Sequence, residues 1–287
     1  MGDKPLVSLI IPTKNSESTI DYCLRSIRVQ TYTNIEVIVV DNYSRDKTRE
    51  LAEKFGARLY LIGPERASQV NFGVKNAKGK YVYRVDSDFV LEPLVVEEAI
   101  SKCEDKGYDA IAIHNTSDPS VSFWAKVRKL ERDCYKDDEL NIGARFFKKE
   151  VFDAIGGFDE TLIAAEDYDL HNRLLKMGYK IGKISAQELH IGEPKSLLEI
   201  ARKHYYYGTN IGKFIVKNPE RVNRQLSPLR AGYLRHRKEF LKAPLLSVGF
   251  VIYQSVRYCA SATGIIVNKI KQLGTMAQRD DAKGSAG

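Results

Sequence analysis

The apolar positions in the early part of the chain alternate between two kinds of spacing. Residues 6–11 and 35–40 are nearly unbroken apolar runs that stop at Pro12 and at Asp41. Short runs without polar alternation predict strands buried on both faces, as in parallel sheets. Elsewhere the spacing becomes three and four. Ile20, Leu24 and Ile27 share one face of a helix predicted over 18–30. Further helices are predicted over 46–55, stopped by Gly56, and over 67–77, stopped near Gly79. Strands over 58–62 and 81–85 complete a β-α-β-α-β-α-β rhythm, which predicts a doubly wound α/β sheet. Ligands of such sheets bind at the carboxyl ends of the strands. Residues 12–15, Asp41-Asn42 and Asp86-Ser87-Asp88 all fall there.

A second block follows. Strands are predicted over 109–114 and 144–147, helices over 122–135 and 149–152, and a tight turn at Gly156-Gly157-Phe158-Asp159. Ala165-Glu166-Asp167 opens a helix over 168–177 that Gly178 ends. Carboxylates suit a helix's first turn for dipole reasons alone, so on pattern alone Glu166 and Asp167 are either helix-start charges or chemistry. Leu197, Ile200, His204, Gly208, Ile211 and Ile215 keep helical spacing over 196–216. The apolar stretch 243–267 contains Pro244, Gly249, Arg257 and Gly264. A bilayer span needs about 20 apolar residues, and a charge near the centre makes one costly. Two short helices are therefore expected here, on a membrane surface or in a homodimer interface, with a packed helical subdomain as the alternative. Residues 278–287 are small and polar and are expected to fray.

Charge sharpens this division. The chain has 287 residues and a net charge of +8. From Lys195 onward there are 17 Lys and Arg against 5 Asp and Glu, a net of +12, which leaves −4 for the first 194 residues. A near-neutral body with a basic tail implies an anionic partner. Arg230, Arg235, Arg237, Lys238 and Lys242 are interleaved with Leu229, Tyr233, Leu234, Phe240 and Leu241. That mixture suits a helix lying in a membrane interface. No nucleic-acid motif accompanies it, so no nucleic-acid partner is expected. Cys23, Cys103, Cys134 and Cys259 are scattered without metal or redox spacing, and no signal peptide is recognisable. A reducing, cytosolic setting is expected.

The chemistry concentrates at Asp86-Ser87-Asp88. Two carboxylates two apart at a strand end can reach one hard cation, and oxygen ligands without Cys point to Mg²⁺ or Mn²⁺ and a phosphate-bearing substrate. On spacing alone the same triplet suits a surface turn.

In order along the chain, Val7 to Asn15 with Glu17, Ile35 to Thr48, Asn71-x-Gly73 with Ala77-x-Gly79, Asp86-Ser87-Asp88, Gly156 to Glu160 and Glu166-Asp167 resemble glycosyltransferase family 2, the inverting GT-A enzymes. The resemblance runs over about residues 5–195. It implies a GT-A catalytic domain over 1–195, beside which charge and spacing set a basic helical extension over 196–277 and a tail over 278–287. It also implies a nucleoside diphosphate sugar donor, UDP- or GDP-linked, and a lipid-linked or glycan acceptor at the cytosolic membrane face. By resemblance, Asp88 ligates the metal with Asp86 and His190. Pro12, Thr13, Asn15, Glu17, Asp41, Arg66, Asn71, Asp86 and Ser87 would line the nucleotide sugar. Asp167 would be the general base and Glu166 its support. Many relatives carry Arg where this chain has Val70, and Arg66 is the substitute expected. Two alternatives stay open, a sugar nucleotidyltransferase and an inactive sugar- or membrane-binding scaffold. The first wants a glycine-rich loop where this chain has Pro12-Thr13-Lys14-Asn15-Ser16-Glu17.

Overall fold

In the computed structural model residues 4–136 and 143–284 are described, the last of them (274–284) as backbone only. The first part alternates β1 (Val7–Thr13), α1 (Ile20–Arg28), β2 (Ile35–Asp41), α2 (Thr48–Lys54), β3 (Arg58–Leu61), α3 (Arg66–Lys75) and β4 (Tyr81–Arg84). The second runs β5 (Phe89–Leu91), α4 (Val95–Lys106), β6 (Ala110–Ala112), β7 (Asn115–Ser117), α5 (Phe123–Asp133), β8 (Ala144–Lys148), α6 (Lys149–Ala154), α7 (Glu166–Lys176), β9 (Ile181–Lys183) and β10 (Glu188–His190). Then come α8 (Leu197–Asn210), α9 (Gly212–Lys217), α10 (Pro219–Gln225), α11 (Ala231–Arg235), α12 (Arg237–Lys242) and α13 (Pro244–Gly284).

The main sheet has seven strands in the order β3-β2-β1-β4-β8-β6-β9. The four early strands are parallel, and β8 is antiparallel to both β4 and β6. Every residue of β1 is buried, as its apolar run predicts. Val7, Leu9 and Ile11 pack toward α1 and α4, while Ile10 packs with Ile38 and Val40 toward α3 and α7. The register pairs Thr13 with Asp41, so the first two strands end side by side. A smaller sheet, β5-β10-β7, pairs His190 with Phe89 and with Ser117. Its three-residue strands, like β9, are too short to show a period, and the sequence does not announce them.

The carboxyl-terminal region departs from expectation twice. Residues 196–216 form two helices that meet at Ile211. Thr209 and Asn210 each donate a side-chain hydrogen bond to the Tyr206 carbonyl at 2.8 Å, which competes with the helical ladder. Residues 243–267 are not two short helices but part of one continuous helix, α13, whose backbone stays helical to Gly284. The features that looked like breaks are packing contacts. Pro244 stands at its start, where a proline is tolerated. A side chain at Gly208 would collide with the Ser261 carbonyl, and one at Gly264 with the Tyr205 carbonyl. The two helices thus cross backbone to backbone, and only glycine allows it.

Arg257 is likewise satisfied inside the protein. Its Nη1 lies 3.0 Å from Oε1 of Glu131, which is fully buried on α5. Glu131 also pairs with Arg128 and accepts from Tyr135 Oη at 2.6 Å, Tyr233 Oη at 3.1 Å and Gln254 Nε2 at 3.2 Å. One carboxylate therefore joins α5, α11 and α13. Burial pushes its pKa up, but Arg128, Arg257 and the Tyr135 hydroxyl hold it well below the ordinary carboxylate value. Pro244–Leu273 is long and apolar enough to cross a bilayer. Its middle, however, is bonded to α5 through Arg257.

Candidate active site

The loops after β1 and β2 are laced together. Asp41 is buried and accepts from Thr13 Oγ1 at 2.8 Å and from the Ser44 amide at 2.7 Å. The Asn15 amide donates to Ser44 Oγ at 2.7 Å, and the Arg45 amide donates to Asn15 Oδ1 at 3.0 Å. Glu17 accepts from the Lys47 amide at 2.9 Å. Asn15 sits at φ 49°, a left-handed conformation that asparagine tolerates better than most residues. Pro12 is buried at the end of β1, and Ser87 Oγ donates to Ser16 Oγ at 2.9 Å, tying this loop to the acidic triplet. Pro12, Thr13, Asn15, Glu17, Asp41 and Ser87 thus form one edge. Asn71 is engaged elsewhere. Its amide donates to the Phe158 carbonyl and to Glu160 and accepts from the Phe158 amide, each at 2.9 Å. It clamps the Gly-Gly-Phe-Asp turn.

Beyond β4 three arginines interleave with four carboxylates. Asp86 lies 2.8 Å from Arg84 and 2.8 Å from Arg145. Arg84 also pairs with Asp167, and Arg66 with Glu166. Arg66 stands 3.6 Å from Asp86 and 3.7 Å from Asp167, and Arg145 is 3.2 Å from Glu188. Burial pushes the Asp86 and Asp167 carboxyls up, but Arg84, Arg145 and Arg66 outweigh it and leave both below the ordinary value. Glu188 has less help. Burial there prevails over Arg145 and the Tyr83 hydroxyl, and its pKa is raised. Arg66 does reach the acidic site, as the substitution at Val70 suggests. Arg84, Arg145 and Glu188 are neighbours of the candidate site that the sequence reading missed. A charged residue inside an otherwise apolar strand, Tyr-Val-Tyr-Arg or Ala-Arg-Phe-Phe, was the available signal.

Of the three predicted metal ligands, Asp88 and His190 meet and Asp86 is committed to arginines. His190 Nε2 is 3.0 Å from Asp88 Oδ2, and its Nδ1 is 2.7 Å from Glu193 Oε1. The imidazole thus stands between two carboxylates, Asp88 on one side and Glu193 on the other. The carboxylate–histidine pair behind a metal ligand has this form. A carboxylate with an imidazole suits Mn²⁺ or Mg²⁺ when a diphosphate and water complete the shell. Among the described residues no three acidic, His or Cys side chains are grouped tightly enough to hold an ion alone. The residues present fit a cation shared with a ligand. Gly192 makes room for this, since a side chain there would collide with Asp88.

Asp86, Asp167, Glu166 and His190 face one cavity of about 570 Å³, whose far side is formed by α5, α8 and α13. Asn115 lines it too. Residues 137–142 lie outside the described residues.

The family model for glycosyl transferase family 2 matches residues 8–158, more than half of the chain. The chain belongs to glycosyltransferase family 2. Glycosyltransferase GlyG of Streptococcus pneumoniae is 31% identical over 237 residues, covering 69% of this chain and 79% of that one. An uncharacterized glycosyltransferase of Rickettsia typhi is 31% identical over 198 residues. That match takes 60% of this chain and spans 59% of the relative's length. Chondroitin synthase of Escherichia coli is 27% identical over 232 residues, 72% of this chain and 32% of that one. Among solved structures, the mannosyltransferase PcManGT of Pyrobaculum calidifontis, in complex with GDP-Man and Mn²⁺, aligns with a TM-score of 0.58 at 18% identity. It covers 96% of this chain and 81% of its own. Residues 1–349 of TarS from S. aureus, in complex with UDP-GlcNAc, align at 0.54 and 18% identity, covering 94% and 92%. The fold of this family 2 chain is GT-A, a mostly parallel sheet followed by a long apolar helix.

Proposed function

We propose that this chain is a metal-dependent, inverting glycosyltransferase. It moves a sugar from a nucleoside diphosphate sugar to a hydroxyl or phosphate of a lipid-linked or glycan acceptor at the cytosolic membrane face. The observation that carries this reading is the meeting of Asp86, His190 and Asp167 on one cavity in a chain of this family. The loops around Thr13, Asn15 and Asp41 receive the nucleotide. Asp167 takes the proton of the acceptor hydroxyl as its oxygen attacks the anomeric carbon. The bond from that carbon to the diphosphate breaks, and the electron pair leaves with the diphosphate. Arg66, Arg84 and Arg145 hold Asp167 ionised and stand beside the departing charge. A divalent cation held by Asp88 and His190 would neutralise part of the diphosphate. The glycine-free loop after β1 and the family membership favour this reading over nucleotidyl transfer.

The neighbours solved with GDP-Man, UDP and UDP-GlcNAc support a UDP- or GDP-linked donor. Titrating UDP- and GDP-sugars by calorimetry, with Mn²⁺ or Mg²⁺ and then with EDTA, tests it. One class is expected to bind only with the metal and to be slowly hydrolysed. Binding of none in either metal would overturn the reading.

The outer face of α13 supports the membrane part of the proposal. Leu245, Val248, Val251, Ile266, Ile270 and Leu273 are exposed at helical spacing. Arg235, Arg237, Lys238 and Lys242 are exposed nearby, whereas Arg230 is buried over the Tyr135 ring and leaves the surface set. Each basic residue near an anionic leaflet contributes on the order of 1 kcal/mol. Neutralising those four exposed residues is expected to release the protein from anionic vesicles at moderate salt in a flotation assay. If the wild-type protein ignores such vesicles at low salt, the apolar face belongs to a second copy, and light scattering would show the dimer.

A further inference from the structure

The cavity is electrically two-ended. Near β4, Arg66, Arg84 and Arg145 are matched by Asp86, Glu166, Asp167 and Glu188, which leaves no excess of positive charge. Near the helices the balance reverses. Among the described residues Arg128, Arg132, Lys203 and Arg257 line that end, against Glu131 and Glu193. Glu131 is shared by Arg128 and Arg257. Glu193, 3.1 Å from Arg132, is shared with His190 and with Ser117 Oγ at 2.5 Å. The Nε of Arg132 is buried with no hydrogen-bond partner, and Lys203 makes no ion pair among the described residues. We infer that the end of the cavity between α5, α8 and α13 binds a phosphate or diphosphate group carried by the acceptor. This rests on the transferase reading and names the acceptor's class.

The other observations agree. His204 lines the same end. Burial, with Arg257, Arg128 and Lys203 around it and Glu131 opposing, pushes its imidazole pKa down to about 3. It is therefore neutral at physiological pH and adds no charge, but it reports the field there. A single carboxylate would not balance the excess, whereas a phosphate brings nearly two charges at neutral pH. Multiple donors on Arg128, Arg132 and Arg257 suit its oxygens. The walls beyond are apolar, with Ile200, Ile211 and Ile265 facing the cavity, so a hydrocarbon chain attached to the phosphate has somewhere to lie. Asp167 is on the same cavity, so a group anchored among the arginines leaves the rest of the acceptor facing the proposed base.

The test uses the full chain in EDTA, which leaves the Asp88 site unloaded. Methyl phosphate and octyl phosphate are titrated against the His204 imidazole resonance, assigned by its loss in His204→Asn. Sodium chloride at equal ionic strength is the control. A saturable shift with phosphate is expected and none with chloride. Lys203→Ala is expected to weaken it roughly tenfold, the range of a hydrogen bond to a charged group. Lys203 is exposed on α8, so this variant keeps its fold. Arg257→Lys, which retains the charge opposite Glu131, should weaken it less. Tighter binding of octyl phosphate identifies a lipid phosphate, and equal binding a water-soluble one. No saturable response, or one unchanged in both variants, overturns the subsite. Donor binding to the wild-type protein with Mn²⁺ is measured alongside. Donor binding without a phosphate response overturns the subsite alone. A phosphate response without any donor binding overturns the transferase reading on which the acceptor rests.

Discussion

Replacing Asp167 by Asn is expected to lower turnover by about 10²- to 10⁴-fold, the usual contribution of general base catalysis, and to leave donor affinity within a few-fold. Asn keeps the size of the side chain and an oxygen for Arg84, and Arg84 retains Asp86 at 2.8 Å. The loops proposed to receive the nucleotide lean on Asp41, Ser44 and Asn15 and not on Asp167. The loss should therefore fall on chemistry. The pH dependence follows in sign. Asp167 must be ionised to accept a proton, and its pKa lies below the ordinary carboxylate value because Arg84, Arg66 and Arg145 overcome burial. The part of the acid limb that Asp167 controls should therefore lie below the usual carboxylate range. Steady-state kinetics with the donor found by calorimetry measures both quantities. Turnover within a few-fold of wild type would return Asp167 to a helix-start charge.

Asp88→Asn is expected to abolish the difference between donor binding in Mn²⁺ and in EDTA and to remove nearly all transfer. Losing even an outer-shell partner of a metal ligand costs roughly 10- to 100-fold in metal affinity, so losing the ligand itself should cost at least that. Asp88 is the carboxylate left free of arginine, with its Oδ2 3.0 Å from His190. Asp86→Asn should behave differently. Asp86 sits between Arg84 and Arg145, so its loss disturbs the arginine cluster while metal affinity changes less. His190→Ala should fall between the two. Calorimetric titration of Mn²⁺ in the presence of the donor separates them. An Asp88→Asn protein that still needs Mn²⁺ and transfers at the wild-type rate would remove Asp88 from the metal site.

The sequence was legible where function lies at the ends of sequential parallel strands. β1, β2 and β4, their loops, the acidic triplet and the opening of α7 all follow from apolar runs and the residues that stop them. It was not legible where distant strands meet. Arg145 joins Asp86 because β8 runs antiparallel beside β4, pairing Tyr83 with Phe146, and no local pattern encodes that neighbour. Glu193 was passed over because its partner is a side chain on a three-residue strand. The tail was misread for a consistent reason. Gly249, Gly264 and Arg257 look like weak points in an isolated segment, but their meaning is set by what they touch. Gly249 faces Phe123 and Val127, Gly264 faces Tyr205, and Arg257 faces Glu131. Arg230 counts as surface charge by composition and is buried in the fold.

The helix α13 has two employments on opposite sides. Arg257 and Ser261 look into the cavity, while Val248, Val251 and Ile266 look out. Because the crossing with α8 is backbone on backbone at Gly208 and Gly264, there is no compliant layer of side chains to absorb a shift. A shift of α13 driven from its outer face would therefore carry the inner wall with it. The loops proposed to receive the donor rest on β1 and β2, away from that helix. An assay in micelles and an assay on bilayers would then compare two shapes of the cavity's helical wall across one unchanged set of loops after β1 and β2.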